Sequence, residues 1–255
     1  MSEFMDNNDI IITIGRMNPP TTGHMKLIEK MMVTALETNV KKIYIILSGT
    51  LHKDTDPIKC IDKQKLLVNF IIDKVKNNII EKQKYTITQI NEIDVNIICM
   101  DDLRINANNS ILPTIKYIIN ESNPSNIQLI IGEDRATSYN WIQKYIKPVK
   151  LYDEPIVVNR NSKNSKDQET EGMSATKMRK LANDGNLAEF SKQMIPTGID
   201  TENIQILYNT IRDPKIPESS KSRKTKRTSE SSEKKPKKTK AGKKTYKKHR
   251  FIKNK

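Results

Sequence analysis

The sequence predicts an α/β fold in which a parallel sheet is covered by helices on both faces. Three observations predict it: short apolar runs rich in β-branched residues, helix-spaced segments between those runs, and a Gly- and Pro-containing loop directly after the first of them. Asp9 to Ile14 (DIIITI) is a buried strand that enters a loop at Gly15 and a Pro-Pro turn. Thr22 to Glu37 has helical spacing, with Met25, Ile28, Met31, Met32 and Leu36 on one side, and Lys42 to Leu47 is a second strand. Strand, helix and strand in this order make a right-handed βαβ unit.

The alternation continues. Ile61 to Val75 reads as a helix, Val95 to Met100 and Gln128 to Ile131 as strands, and Ile111 to Ile119 as the helix between them. Arg135 to Tyr145 is expected to be an amphipathic helix and Pro155 to Val158 a last strand, followed by a polar loop over Asn159 to Glu171. Helices resume at Ser174 to Leu181, Leu187 to Met194 and Asn203 to Ile211, with Gly185 as a break. Asn77 to Glu92 is Lys-rich and ambiguous, compatible with an insertion, and Ile79 to Asn109 matches no pattern of its own. Such a Rossmann-like sheet binds ligands beyond the carboxyl ends of its strands, so the loop after the first strand is the place to look for chemistry.

Charge divides the chain. Residues 215–255 hold 18 Lys and Arg against 3 Asp and Glu, the whole formal net charge of +15, while the 214 residues before them balance, 27 against 27. The expected organisation is a catalytic domain over 1–214 and a disordered Lys-rich tail over 215–255, too poor in apolar residues to offset chain entropy. The folded part is thereby left with no net electrostatic bias. The only cysteines, Cys60 and Cys99, form no C-x-x-C pair, so neither a zinc site nor a disulfide framework is expected, and a reducing compartment fits. No apolar run approaches the ~18 residues of a spanning helix. The expectation is a soluble intracellular protein without membrane contact, cytoplasmic, or nuclear if the basic tail acts as a targeting signal.

The first loop reads G-R-M-N-P-P-T-T-G-H from Gly15 to His24. Gly15 and Gly23 allow close backbone approach, the prolines stiffen the turn, and a helix start offers free N–H groups and a positive dipole end to phosphate. His24 falls in the first helical turn, able to donate to a phosphate oxygen as charge builds there. The plainer alternative is a first-turn histidine beside glycines that only shape a turn.

Thr21-Thr22-Gly23-His24 resembles the T-x-G-H form of the (H/T)-x-G-H nucleotidyltransferases, which include nicotinamide-mononucleotide and phosphopantetheine adenylyltransferases and cytidylyltransferases. A second signature of that superfamily, (I/V)-S-(S/A/G)-T-x-x-R, is matched by Met173 to Arg179 apart from Met in the first, apolar position. Ser174 and Thr176 then supply hydroxyl and backbone donors at a helix start, and Arg179, one turn on, offers its guanidinium to the β- and γ-phosphates. The alternative is a capping Ser on a helix whose Lys177, Arg179 and Lys180 face water.

Ile131-Gly132-Glu133-Asp134 resembles the G-x-D of nicotinamide-mononucleotide adenylyltransferases, where Asp134 would accept from ribose hydroxyls, or equally cap the next helix. Trp141, the only tryptophan, stands where pyridine-nucleotide members carry an aromatic that stacks on the acceptor base, worth roughly 1–3 kcal/mol, unless it is core beside Tyr145. Arg16 and Lys177 are further candidates for phosphate charge, Arg160 is the basic residue at the end of the last strand, and Lys53, Lys59 and Lys63 are candidates for an acceptor phosphate.

The resemblance implies transfer of AMP from ATP, with Mg²⁺ on the triphosphate, to a small phosphorylated acceptor such as nicotinamide or nicotinate mononucleotide, with release of pyrophosphate. His24 and Arg179 are the expected catalytic pair, and no metal ligand set is expected in the protein. Two alternatives remain open: a cytidylyltransferase acting on a phosphorylated alcohol, and a non-catalytic nucleic-acid-binding protein in which the basic tail makes non-specific backbone contacts. Oligomeric state is not legible.

Overall fold

A computed structural model describes residues 8–82, 84–147, 149–152, 155–158 and 173–215. The sheet is parallel throughout, with strands β1 (Ile10–Gly15), β2 (Lys42–Leu47), β3 (Asp94–Cys99), β4 (Asn126–Gly132), β5 (Lys150–Leu151) and β6 (Ile156–Val158). Its order is β3-β2-β1-β4-β5, and β6 pairs with β4 further along the edge that β5 begins. The helices are α1 (Thr22–Thr38), α2 (Cys60–Leu66), α3 (Ile72–Glu81), α4 (Ile87–Asn91), α5 (Ile111–Ser122), α6 (Ala175–Asn183), α7 (Leu187–Met194) and α8 (Thr201–Arg212).

Alternation along each strand feeds two cores, as a parallel sheet buried on both sides requires. Ile11, Ile43, Ile45 and Leu47 point to the side packed by α1, α3, α6, α7 and α8. Ile10, Ile12, Ile14, Tyr44 and Ile46 point to the other, where Ile115 and Ile118 of α5 meet Tyr139, Ile142 and Ile146. The Rossmann-like architecture expected from the sequence is therefore the observed one. Among the described residues no helix is long and apolar enough to cross a membrane.

Three elements depart from the sequence reading. The predicted helix over 61–75 runs to Glu81 and is interrupted by a π-helical turn at Leu67–Ile71. The predicted helix over 135–145 is absent: two 3₁₀ turns, Glu133–Arg135 and Ile142–Tyr145, flank non-helical turns. Tyr139, Ile142 and Ile146 are buried at spacings of three and four, so the apolar pattern is real, but successive turns satisfy it as well as a helix does. Finally, Cys60 and Cys99 are joined by a disulfide, contrary to expectation. One opens α2 and the other closes β3, and the fold brings Cα atoms 39 positions apart to 5.8 Å. The polar loop expected over 159–171, with Arg160, lies outside the described residues, as does the tail beyond 215.

Candidate active site

In this sheet order the chain leaves β1 on one side for β2 and β3 and returns on the other as β4, so the carboxyl ends of β1 and β4 flank the topological switch point. A cavity of about 400 Å³ opens there. Its walls are the segment from Gly15 to Asn18, the first turn of α1, Gly132 at the end of β4 and Asp134 beyond it, and Met173 to Thr176 with Arg179. The volume suits a nucleotide-sized ligand.

The α1 start is built around a reciprocal cap. Thr21, with φ −134° and ψ 171°, is the N-cap, and His24 occupies the third helical position, where a Glu or Gln usually closes the box. The Thr21 backbone N–H donates to His24 Nδ1 at 3.0 Å, and Thr21 Oγ1 lies 2.9 Å from the same nitrogen. Because Nδ1 accepts, the neutral ring carries its proton on Nε2. The imidazole is 8% exposed and lines the cavity, so its tautomer and orientation are set before any ligand arrives.

The second signature meets the first directly. Thr22 Oγ1 donates to Met173 Sδ at 3.3 Å, across 151 positions. Arg179, 9% exposed on α6, donates from Nη1 to Asn18 O at 2.6 Å, from Nε to Asp54 O at 3.0 Å and from Nη2 to Thr176 Oγ1 at 3.2 Å. A guanidinium has five N–H donors: two hold the loops at Asn18 and Asp54, a third holds Thr176 on the same helix, and two have no partner among the described residues. Burial, and then the nearby Arg16, press its pKa below the usual arginine value while Asp56 raises it; a guanidinium still keeps its charge. Ser174 caps α6, its Oγ accepting from the Lys177 N–H at 3.1 Å, and Ala175 and Thr176 at the helix start line the cavity.

A loop that no motif flagged, the floor loop, bonds to the lining residues Asn18 and Arg179 from outside the cavity wall. His52 and Asp56 exchange backbone hydrogen bonds at 2.9 Å each, and the Asn18 amide brackets the Ile58 backbone, Nδ2 donating to Ile58 O at 3.1 Å and Oδ1 accepting from Ile58 N at 3.3 Å. Asp56 is buried, with Oδ2 3.8 Å from Arg16 Nη1. Burial raises its carboxyl pKa against the pull of Lys63, Arg16 and Arg179. Nothing in the sequence sets this aspartate apart, because it sits in a polar loop among other charges.

The expected residues are not all gathered. Gly15, Arg16, Thr21, Gly23, His24, Gly132, Asp134, Ser174, Thr176 and Arg179 line the cavity. Lys177 does not: its side chain is exposed on α6, and its N–H is taken up by the Ser174 cap. Trp141 does not either; it is 42% exposed, donates from Nε1 to Ser138 O at 3.0 Å and meets Tyr145 edge to face. The aromatic that lines the cavity is Tyr139, whose hydroxyl donates to Ile14 O at 3.4 Å and whose pKa burial raises. Asp134 does not cap a helix, since it lies inside the 3₁₀ turn, 3.6 Å from Arg135 Nε. Lys53 and Lys59 are exposed outside the lining, and Lys63 is buried behind it. Asp134 is the one carboxylate among the described lining residues, and the only compact group of metal-ligand types among the described residues is Cys60, Cys99 and Asp101, whose two sulfurs are already bonded to each other.

Two solved structures resemble this fold at a distance. A Vibrio parahaemolyticus protein provisionally described as a nicotinate-nucleotide adenylyltransferase is 16% identical with a TM-score of 0.43, over 78% of this chain and 97% of its own. A Streptococcus pneumoniae protein described as a macrolide-efflux protein is 13% identical with a TM-score of 0.39, over 75% of this chain and 56% of its own. No curated protein matches the sequence. A cytidylyltransferase-like family model, however, matches residues 12–181, a stretch that begins in β1, ends in α6 and includes both segments walling the cavity. With that match spanning most of the folded chain, the protein belongs to the cytidylyltransferase-like family and is a nucleotidyltransferase.

Proposed function

We propose that the protein transfers the AMP moiety of ATP to nicotinamide or nicotinate mononucleotide and releases pyrophosphate. The observation that carries this reading is the meeting of Thr21–His24 and Ser174–Arg179 at one cavity, joined by the Thr22–Met173 and Asn18–Arg179 hydrogen bonds. An acceptor phosphate is already anionic at neutral pH and needs no general base. Its oxygen forms a bond to the α-phosphorus while the bond from that phosphorus to the bridging oxygen breaks, and pyrophosphate leaves with the electron pair.

The protein supplies placement and charge. His24 donates from Nε2 to a non-bridging α-phosphate oxygen, where negative charge grows in the transition state. The start of α6 and the Arg179 guanidinium hold the β- and γ-phosphates. Gly15 and Gly23 keep side-chain bulk off the nucleotide, and Asp134 accepts from ribose hydroxyls. Mg²⁺ enters with the nucleotide as part of the substrate, which agrees with a single carboxylate among the described lining residues.

The test is a pyrophosphate-release screen of ATP and CTP against phosphorylated acceptors, with His24→Ala as control. Release with ATP and a pyridine mononucleotide, lost in the variant, is expected. Release with CTP and a phosphorylated alcohol instead would transfer the reading to a cytidylyltransferase.

A further inference from the structure

Lys63 is 0% exposed, a rare state for a lysine, and none of the roles above uses it. Its Nζ donates to Arg16 O at 3.0 Å and to Ser48 O at 2.6 Å. Those carbonyls belong to the loops that follow β1 and β2, and both residues line the cavity. The ammonium therefore sits one peptide unit behind the wall, in a place from which water is excluded.

We infer that Lys63 is a positioning residue for the nucleotide: it ties the loop after β1 to the loop after β2 from behind and sets a buried positive charge under the triphosphate. The inference rests on the reading that the cavity holds a nucleoside triphosphate.

Two physical points favour charge as well as tethering. A neutral amine could make the same two hydrogen bonds, so the energetic excess of keeping an ammonium there needs a reason. Burying it without an anion is unfavourable, and an anion held across one peptide layer in low dielectric recovers much of that loss. The charged groups facing Lys63 are Asp56 from the floor loop, Asp101 after β3 and Arg16 after β1. Asp56 is shared with Arg16 and Arg179, so it does not belong to Lys63 alone. Burial outweighs both carboxylates and draws the Lys63 pKa from 10.5 to about 8. The charge is consequently present at neutral pH and lost in mild alkali, whereas the two hydrogen bonds can persist.

The experiment is calorimetric titration of the full chain with MgATP from about pH 7 to about pH 9.5, a range that brackets the Lys63 pKa of about 8, with Lys63→Met as the reference for every other group that titrates there. Wild-type affinity should fall at least about tenfold across that range. Lys63→Met should bind about tenfold more weakly at pH 7 and show no alkaline fall, and Lys63→Arg should bind near the wild-type level without the fall, because its charge persists. Thermal unfolding checks that each variant is folded; should neither be, the wild-type profile decides. A flat wild-type profile overturns the inference, and so does a fall that survives unchanged in Lys63→Met. ATP binding with the alkaline fall but no pyrophosphate release from any acceptor would sink the proposed activity and leave the role of Lys63 standing. A chain that binds no MgATP removes both.

Discussion

Arg179 Nη1 donates to the backbone oxygen of Asn18 at 2.6 Å, across 161 positions of the chain. This one bond joins the helix start at the end of the family match to the loop at its beginning, and the same guanidinium reaches Asp54 O on the floor loop. Arg179 is thus a clamp as well as a phosphate ligand. Arg179→Ala should strand two carbonyls and destabilise the fold by roughly 3 kcal/mol. It should also lower kcat/KM by roughly a hundredfold or more. Thermal unfolding beside pyrophosphate release checks both; loss of turnover with unchanged stability would contradict the clamp.

His24 separates chemistry from capping. His24→Ala should lower kcat by about 10²–10³-fold with little change in KM for ATP. The same change should lower stability by about 1 kcal/mol, because the Thr21 N–H loses its acceptor. Gln at this position can rebuild the reciprocal cap. His24→Gln should therefore recover the lost stability in a thermal melt but not the lost turnover.

Tyr139 and Trp141 make opposite predictions. Trp141→Ala, outside the cavity, should leave acceptor KM within about twofold, as a surface change does. Tyr139→Ala should raise acceptor KM and destabilise the core that Tyr139 shares with Ile142 and Ile146. Steady-state kinetics with the acceptor varied checks both.

Lys63 fixes the sign of a pH effect on stability. Its folded pKa, about 8, lies below the ordinary 10.5, so between those values the unfolded chain holds a proton that the folded chain has released. Stability contributed by this group therefore rises with pH through that window, and below it the full penalty of burying the ammonium applies. The unfolding free energy of wild type relative to Lys63→Met should rise by about 3 kcal/mol from about pH 8 to about pH 10.5. Denaturant titrations of the pair should show this, and a falling difference would contradict the burial.

The tail offers a separate prediction. A protein cut after residue 214 should keep kcat and KM unchanged if residues 1–214 form the catalytic domain. Any retention of the full chain on nucleic acid should vanish in the cut form and weaken steeply with salt. Assays of both forms side by side decide this.

Much of this site is legible in the sequence because its local rules are strong. Ile10 to Ile14 can be little but a buried strand, Thr21 to His24 and Ser174 to Arg179 are helix starts, and Leu187 to Met194 is bounded by Asn186 as cap and Met194 as its last core contact. Other parts depend on proximity in space. Cys60 and Cys99 look unpaired until the sheet brings α2 and β3 together. Lys63 is one lysine among many until the loops after β1 and β2 close around it. Asp56 becomes distinctive only where Arg16, Lys63 and Arg179 converge. The 133–146 segment misled because turns and helices can bury the same residues at the same spacing.

The most direct measurement is a crystal structure of the protein with a non-hydrolysable ATP analogue and Mg²⁺. The account predicts the triphosphate in the cavity between β1 and β4, with His24 Nε2 at hydrogen-bond distance from the α-phosphate and Arg179 on the β- or γ-phosphate. A nucleotide bound elsewhere, or one lying in the cavity with its phosphates directed away from both side chains, would contradict it.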